Sequence, residues 1–417
     1  MATCDRHDGQ SESRKRYRIA YLVTHPIQYQ APLLRFLNAQ PDIEVTTFFQ
    51  SDVSVTGYHD QGFGRSIAWD VPLLDGYPHE FLPSFGRRDL VGRWRPLSYG
   101  IGTRLKQGDF DLLWVHGYAR WFNWVAMAAA RRLGIATLVR DEATPYSAPR
   151  SPMMVALKRH LFFRHFNRLC SGYLAIGSLN RQFFLQNDAP DGRVFVAPYC
   201  VDNQYFRARA REAEPRRAAM RAELGLQPGR AVILYASKFE GRKRAADLLA
   251  AYAKLIERAE ECRRPYLLFV GDGEERKQVE RDAGPFGKDV QFLGFRNQSE
   301  LPAFFDLCDV FVLASQFEPW GLVINEVMSV GRAVVVSDHV GCGPDLVRDG
   351  VNGHVVPLGD VDALADALRD ILRDDARIAA MGDASLRIVD QWGFDAFLTG
   401  FRAALACLLP DRTPKLS

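Results

Sequence analysis

Short apolar runs alternate with helical patterns in two separate series along this 417-residue chain, and few folds satisfy that alternation. In the first series, residues 17–24, 43–49, 112–115, 136–139, 173–176 and 194–196 read as buried strands, with helices at 29–38, 119–133, 152–169 and 179–186. In the second, strands are expected at 232–236, 266–270, 290–293, 310–314, 333–337 and 354–356, with helices near 243–259, 275–283, 299–307 and 321–330. Strands that alternate with helices pair in parallel, and the crossover helices cover both faces of the sheet. Helices near 360–371, 374–390 and 393–408 close the chain. The expected fold class is α/β, with two doubly wound domains facing across a cleft. A chain this long also exceeds what one core ordinarily holds.

The division expected is a disordered tail at 1–15, a first domain at 16–200, a second at 201–390, and a C-terminal helix in 391–417 placed to pack back on the first domain. Residues 207–225, dense in Arg, Ala and Glu, read as a solvated helix after the interdomain connection. Residues 51–106 are rich in Gly, Pro and aromatics and have few periodic runs, as functional loops often do.

Composition removes several function classes. A net charge of +3 gives no argument for nucleic acid as a partner. Seven scattered cysteines, with no C-x-x-C pair, fit a reducing compartment. No run has the length of a membrane span, and residues 1–18 are too polar for a signal peptide. The expected location is cytoplasmic, possible contact with the inner face of the membrane included.

The chemistry of the second half gathers at strand ends, where open parallel sheets bind ligands. Lys238, Arg242, Lys243 and Arg244 follow the strand at 232–236. Glu318 follows the strand at 310–314, Gly321 to Val323 open the next helix, and Glu326 lies about a turn and a half into it. Free N–H groups at a helix start favour an anion, and a basic cluster opposite them makes a diphosphate clamp. Two carboxylates flanking that clamp suit a ligand bearing both hydroxyls and phosphates, which is the description of a nucleotide-sugar. Gly271 to Gly273, Gly294 and Gly341 to Gly343 are further turns on the same edge, although Gly271-Asp272-Gly273 lacks the third glycine of a dinucleotide fingerprint.

Residues 315–331, Ser-Gln-Phe-Glu-Pro-Trp-Gly-Leu-Val-Ile-Asn-Glu-Val-Met-Ser-Val-Gly, resemble the hallmark segment of retaining glycosyltransferase family 4, which has the GT-B fold of two Rossmann-like domains. Val270 to Gly273, Gln291 to Phe295, Ala333 to Asp338, Gly341, Asp345 to Val347 and Asn352-Gly353 continue the resemblance, which covers about residues 232–390. It implies that Glu318 touches hydroxyls of the donor sugar, Glu326 holds the ribose, and Lys243 holds the diphosphate. It places Lys238, Gly294, Phe295, Trp320, Gly321, Leu322 and Val323 in the same donor site. The family usually has arginine where Lys238 stands and often glycine where Arg244 stands, so the diphosphate contacts here are altered.

In the first half, His25 and Gln28 belong to a His-Pro-Ile-Gln-Tyr stretch at the end of the first strand, which resembles a branch of the same family. His116 resembles that family's cleft histidine, near the donor sugar. Arg140, Asp141 and Glu142 reach the cleft edge after the strand at 136–139, and Tyr58 and Asp60 in the irregular segment are candidate acceptor contacts. The helix at 152–169 carries Lys158, Arg159, Arg164 and Arg168 beside Met153, Met154, Leu157, Leu161, Phe162 and Phe163. Its apolar residues are expected to face the core with a solvated basic side, and peripheral membrane contact is the other reading.

These readings converge on a retaining, metal-independent hexosyltransferase of polysaccharide or glycoconjugate biosynthesis. It would move a sugar from a nucleotide-diphosphate sugar to a saccharide, lipid-linked or small-molecule hydroxyl, with Glu318, His116 and Lys243 as catalytic residues. No Asp-x-Asp pair stands at a suitable strand end, and the basic cluster replaces a cation. Two other readings are a non-catalytic GT-B subunit that binds a nucleotide-sugar and a two-domain nicotinamide oxidoreductase. The latter needs G-x-G-x-x-G after a domain's first strand, and neither 24–31 nor 237–244 supplies it.

Overall fold

The computed structural model describes residues 16–60, 62, 65–89, 91–147, 151–257 and 264–410. Two fully parallel sheets form its framework. The first has seven strands in the order Val194–Val196, Gly172–Ala175, Ala136–Arg140, Leu112–His116, Tyr17–Val23, Ile43–Phe49 and His79–Phe81. The second has six, in the order Val290–Gly294, Tyr266–Val270, Val232–Ala236, Val310–Leu313, Ala333–Ser337 and Gly353–Val356. Buried apolar side chains lie on both faces of each sheet, as continuous apolar strands require.

Each sheet reverses its strand order once. In the first sheet the reversal falls between Tyr17–Val23 and Leu112–His116, which pair as Leu22 with Val115. In the second it falls between Val232–Ala236 and Val310–Leu313, which pair as Leu234 with Phe311. Helices leave such a point toward opposite faces, so a crevice opens beyond the strand ends. That places the loops after residues 23, 116, 236 and 313 where a ligand would sit.

Most expected elements in the two series match to within a residue or two. The irregular segment is the main exception. It holds the edge strand His79–Phe81, a hairpin of Tyr58–Asp60 with Arg65–Ile67, a ribbon of Ser84–Phe85 with Leu97–Ser98, and the helix Ile101–Gln107. Strands of two or three residues are too short to show a period, which is why the sequence pattern conceals them. The tail expected at 1–15 lies outside the described residues.

The last helix, Phe394–Leu408, returns to the first sheet. Phe397 and Phe401 stack beside Trp114 at 5.9 and 5.2 Å between ring centroids. Arg402 grips Asp42 with two hydrogen bonds of 2.9 and 2.6 Å. Because that pair is partly exposed, Arg402→Ala is expected to cost about 0.5–1 kcal/mol, read as a small drop in melting temperature that shrinks in high salt.

Candidate functional site

Lys243 and Glu318 meet at the reversal point of the second sheet. The chain leaves Ala236, makes a short turn over Gly241–Lys243 and enters the helix Ala245–Ile256. The neighbouring chain leaves Leu313, passes Glu318 and enters the helix Leu322–Ser329. The Gln316 N–H donates to the Arg242 carbonyl at 2.7 Å and ties the two loops together. The Lys243 ammonium then forms an ion pair with the Glu318 carboxylate, both side chains being largely buried.

Backbone contacts hold this loop from behind. Gly341 donates to the Glu318 carbonyl and Cys342 to that of Trp320, both at 2.9 Å. A Cβ at Gly341 would lie 1.9 Å from the Pro319 carbonyl oxygen, so only glycine permits this approach. Arg244, after Lys243, takes a left-handed backbone with φ 57°, and Asp247 holds its guanidinium at 2.7 Å. Glycine reaches that conformation without the steric cost that a side chain such as that of Arg244 adds.

The helix Leu322–Ser329 begins beside Glu318, with Gly321 also left-handed at φ 96°. The Ile324 N–H donates to the Gly321 carbonyl at 2.9 Å, and those of Leu322 and Val323 come before this first bond of the helix. Glu326 is buried on the same helix, and desolvation pushes its carboxyl up to about 8 despite a hydrogen bond with Gln298. Lys238 lies where the first domain's hairpin crosses the cleft: a Cβ at Gly62 would fall 2.9 Å from the Lys238 ammonium nitrogen. Asp70 and Ala68 continue this crossing, accepting hydrogen bonds from Ser299 and Asn297.

The other wall comes from the reversal point of the first sheet. His116 pairs in register with Arg140, so Glu142, two residues on, reaches the His116 ring: Nε2 to Oε1 is 3.5 Å. Asn123 fixes the His116 and Gly117 carbonyls at 3.0 and 2.7 Å. Glu142 also accepts a hydrogen bond from the Tyr199 hydroxyl, which lies 2.7 Å from that of Tyr29. Burial lowers His25 to about 4, with Arg120 adding to the effect, so its ring is neutral at pH 7. Burial raises Asp141 to about 6, and its carboxylate accepts the Ala143 N–H at 2.7 Å. A bridge between the walls runs through Tyr199, whose carbonyl accepts from Asn325 at 3.4 Å on the helix that carries Glu326.

Residues 216–386 match the family described as Glycosyl transferases group 1. That match spans 171 of the 417 residues, all of them in the half that carries the second sheet. The chain is 32% identical to the alpha-D-kanosaminyltransferase of Streptomyces kanamyceticus over 187 residues, 44% of this chain and 46% of that protein. It is 29% identical over 341 residues to the phosphatidyl-myo-inositol mannosyltransferase of Mycobacterium tuberculosis, covering 76% of this chain and 83% of the relative. The chain thus spans about half the length of the kanosaminyltransferase and most of the mannosyltransferase. Among solved structures, a glycosyltransferase from Rickettsia africae superposes with a TM-score of 0.72 at 15% identity, over 94% of this chain and 99% of the other. Anabaena Alr3699/HepE in complex with UDP gives 0.70 at 18% identity, over 94% and 100%. The fold is GT-B.

Within this fold, the residues expected on the donor side gather at one crevice edge: Lys238, Lys243, Glu318, Gly321, Leu322, Val323 and Glu326, with Gly294 and the half-buried Phe295 at the neighbouring strand end. Trp320 is different. Its ring is buried, 5.5 Å from the Trp392 ring, and its N–H is spent on Asn325 at 2.8 Å, so it supports the loop from within and offers no face to a donor. Arg140 also fails to reach the cleft edge and lies buried 4.5 Å from the centre of the Tyr199 ring. His25, His116, Asp141 and Glu142 share the opposite wall, and Gln28 is half-buried just before the helix Gln30–Asn38. Tyr58 and Asp60 lie in the hairpin strand, but their side chains are outside the described residues. Tyr199 escaped the sequence reading, although an aromatic three residues past the strand Val194–Val196 stands at the same sheet edge.

Proposed function

We propose that this chain transfers a glycosyl group from a nucleotide-diphosphate sugar to a hydroxyl acceptor, with retention at the anomeric carbon and without a metal ion. The observation that carries this reading is the Lys243–Glu318 pair at a sheet reversal point, set beside the start of the helix that buries Glu326. A diphosphate fits between the ammonium and the helix N–H groups, which stabilise the negative charge that grows as it departs. Glu318, released from Lys243 by the phosphate, is then free to accept from a sugar hydroxyl. Glu326 faces the ribose, a polar partner that compensates its desolvation.

In this reading the bond between the anomeric carbon and the diphosphate oxygen breaks while the acceptor oxygen bonds on the same face. The acceptor proton passes to the departing diphosphate. Catalysis is then mostly positioning and charge stabilisation. His116, held by Glu142, belongs beside the donor sugar, and the first-domain loops belong to a saccharide, lipid-linked or small-molecule acceptor of glycoconjugate synthesis.

The test is a thermal-shift panel of nucleotide-sugars that includes UDP and UDP-glucose, the first of which is bound in the Anabaena structure named above. A true donor at 100 times its Kd adds about 2.7 kcal/mol to stability, a rise of several degrees. NMR of the product should show the donor's anomeric configuration, with turnover unchanged by EDTA. An inverted product or EDTA-sensitive turnover overturns the corresponding part of the proposal. Donor binding with no turnover toward any acceptor would make the chain a binding subunit.

A further inference from the structure

The helix beginning at Pro152 does not turn its apolar side inward along its length, as its sequence leads one to expect. Phe163 and Phe166 are buried, but Met153 and Leu161 are 76% and 59% exposed, and Met154, Val155 and Leu157 are exposed as well. The helix runs from Pro152 to Lys158, widens into a π-helical turn over Arg159–Phe163 and resumes at Arg164–Phe166. Only its C-terminal part therefore packs on the core.

A second apolar projection stands beside it. Phe85 and Trp94 are 67% and 65% exposed. Phe85 stacks on Tyr99 across a two-stranded ribbon, with ring centroids 4.7 Å apart. The backbone near Trp94 is anchored: its carbonyl accepts from the Trp121 indole at 3.2 Å, and the Gly92 carbonyl accepts from Arg120 at 2.6 Å. The Trp94 side chain is thus held outward by a fixed turn. Arg93 joins Met154, Leu157 and Lys158 in lining one groove of about 590 Å³, so turn and helix form a continuous surface.

We propose that this surface docks the protein on an anionic phospholipid bilayer. The occupant is argued from the charge pattern. Trp94 stands between Arg93 and Arg95, Phe85 precedes Arg87 and Arg88, and Leu157 precedes Lys158 and Arg159. Three acids pair with cations of this surface, Asp89 with Arg87, Asp52 with Arg88 at 4.0 Å and Asp188 with Arg159 at 3.5 Å, and Lys158 donates to the Tyr118 hydroxyl at 3.2 Å, so the six cations named outnumber those acids and the surface keeps a positive excess. Apart from the short run Met153–Val155, the apolar tips Phe85, Trp94, Leu157 and Leu161 each have a cation within two positions, so the patch lacks the broad dry apolar centre of a protein interface. They match a bilayer, where phosphates meet the guanidinium groups and indole and methionine side chains enter the acyl boundary. Among the described residues no helix is long and apolar enough to cross a membrane, so the contact is peripheral.

Flotation of the full chain with vesicles tests this. Vesicles of phosphatidylcholine with phosphatidylglycerol should carry the protein at low salt, and pure phosphatidylcholine should not. Raising the salt to 0.5 M should release most of it. The Phe85→Ser/Trp94→Ser and Met153→Ser/Leu161→Ser variants should each lower partitioning about 10-fold, as should Arg93→Glu/Arg95→Glu. All six positions are exposed, so melting temperature and any donor-induced shift should stay unchanged, which separates this test from that of the donor site. The proposal fails if no vesicle binds the wild type, if all three variants bind as wild type, or if the same changes abolish a concentration-dependent dimer in sedimentation velocity while vesicles carry nothing.

Discussion

Lys243→Ala is expected to lower glycosyl transfer about 10²- to 10³-fold, the usual loss when one stabiliser of a transition-state charge is removed. Lys243 is the cation held between the two strand ends at the reversal point, and the loop that carries it is fixed to its neighbour through the 2.7 Å bond from Gln316 to the Arg242 carbonyl. The two arginines that flank it would have to move to substitute: Arg242 is engaged with Glu240 at 2.7 Å and Arg244 with Asp247 at 2.7 Å. Glu318→Ala should cost a similar factor, because its carboxylate is the group freed toward the sugar. Since the two residues pair with each other in the ligand-free protein, the double variant should lose much less than the product of the single losses. Release of nucleoside diphosphate at saturating donor measures all three. Activity of Lys243→Ala within about threefold of wild type would remove the diphosphate role.

Glu326→Gln is expected to stabilise the protein progressively as pH rises, while weakening donor binding. Burial holds the Glu326 carboxyl at about 8 in the folded chain, against an ordinary value of 4.5. Between those values the folded protein keeps a proton that the unfolded chain has released. Wild-type stability from this group is therefore complete below about pH 4.5 and lost as pH climbs to 8. Glutamine stays neutral, so the gain of the variant should be near zero at pH 4.5 and level off above pH 8, on the order of 2–4 kcal/mol. Urea titrations at four pH values would show it. A gain independent of pH would mean that Glu326 is not kept protonated by the fold. A carboxylate retained at such a cost fits a functional site, where strain is tolerated for binding. Ribose hydroxyls that donate to the Glu326 carboxyl would favour its ionised form, which glutamine cannot adopt, so nucleotide affinity should fall about 10-fold.

The architecture was legible because its signals are local. The apolar runs at 232–236 and 310–314, the glycines after them and the basic and acidic residues at their ends lie within a few positions of one another. A short window of sequence therefore places Lys243 and Glu318 on a sheet edge. The short strands of the irregular segment escaped because two or three residues carry no period. Trp320 misled for a related reason: its position in the loop is local information, but the direction of its ring depends on Trp392 and Asn325.

The order of strands alone decided which edge residues meet. Lys243 and Glu318 are 75 positions apart and become partners only because their strands are adjacent at the reversal of the sheet. Tyr199 joins Glu142 to the helix of Glu326 through contacts spanning 57 and 126 positions. Arg140 points inward beneath that junction, and Met153 and Leu161 point outward where no second layer covers their helix. By itself the sequence determined two doubly wound domains, a family resemblance and the acids and bases of one crevice, since period, turn chemistry and motif spacing act over short range. Burial, partners and the state of ionisation were left to the tertiary structure, because each depends on what the rest of the chain places nearby and how far it excludes water.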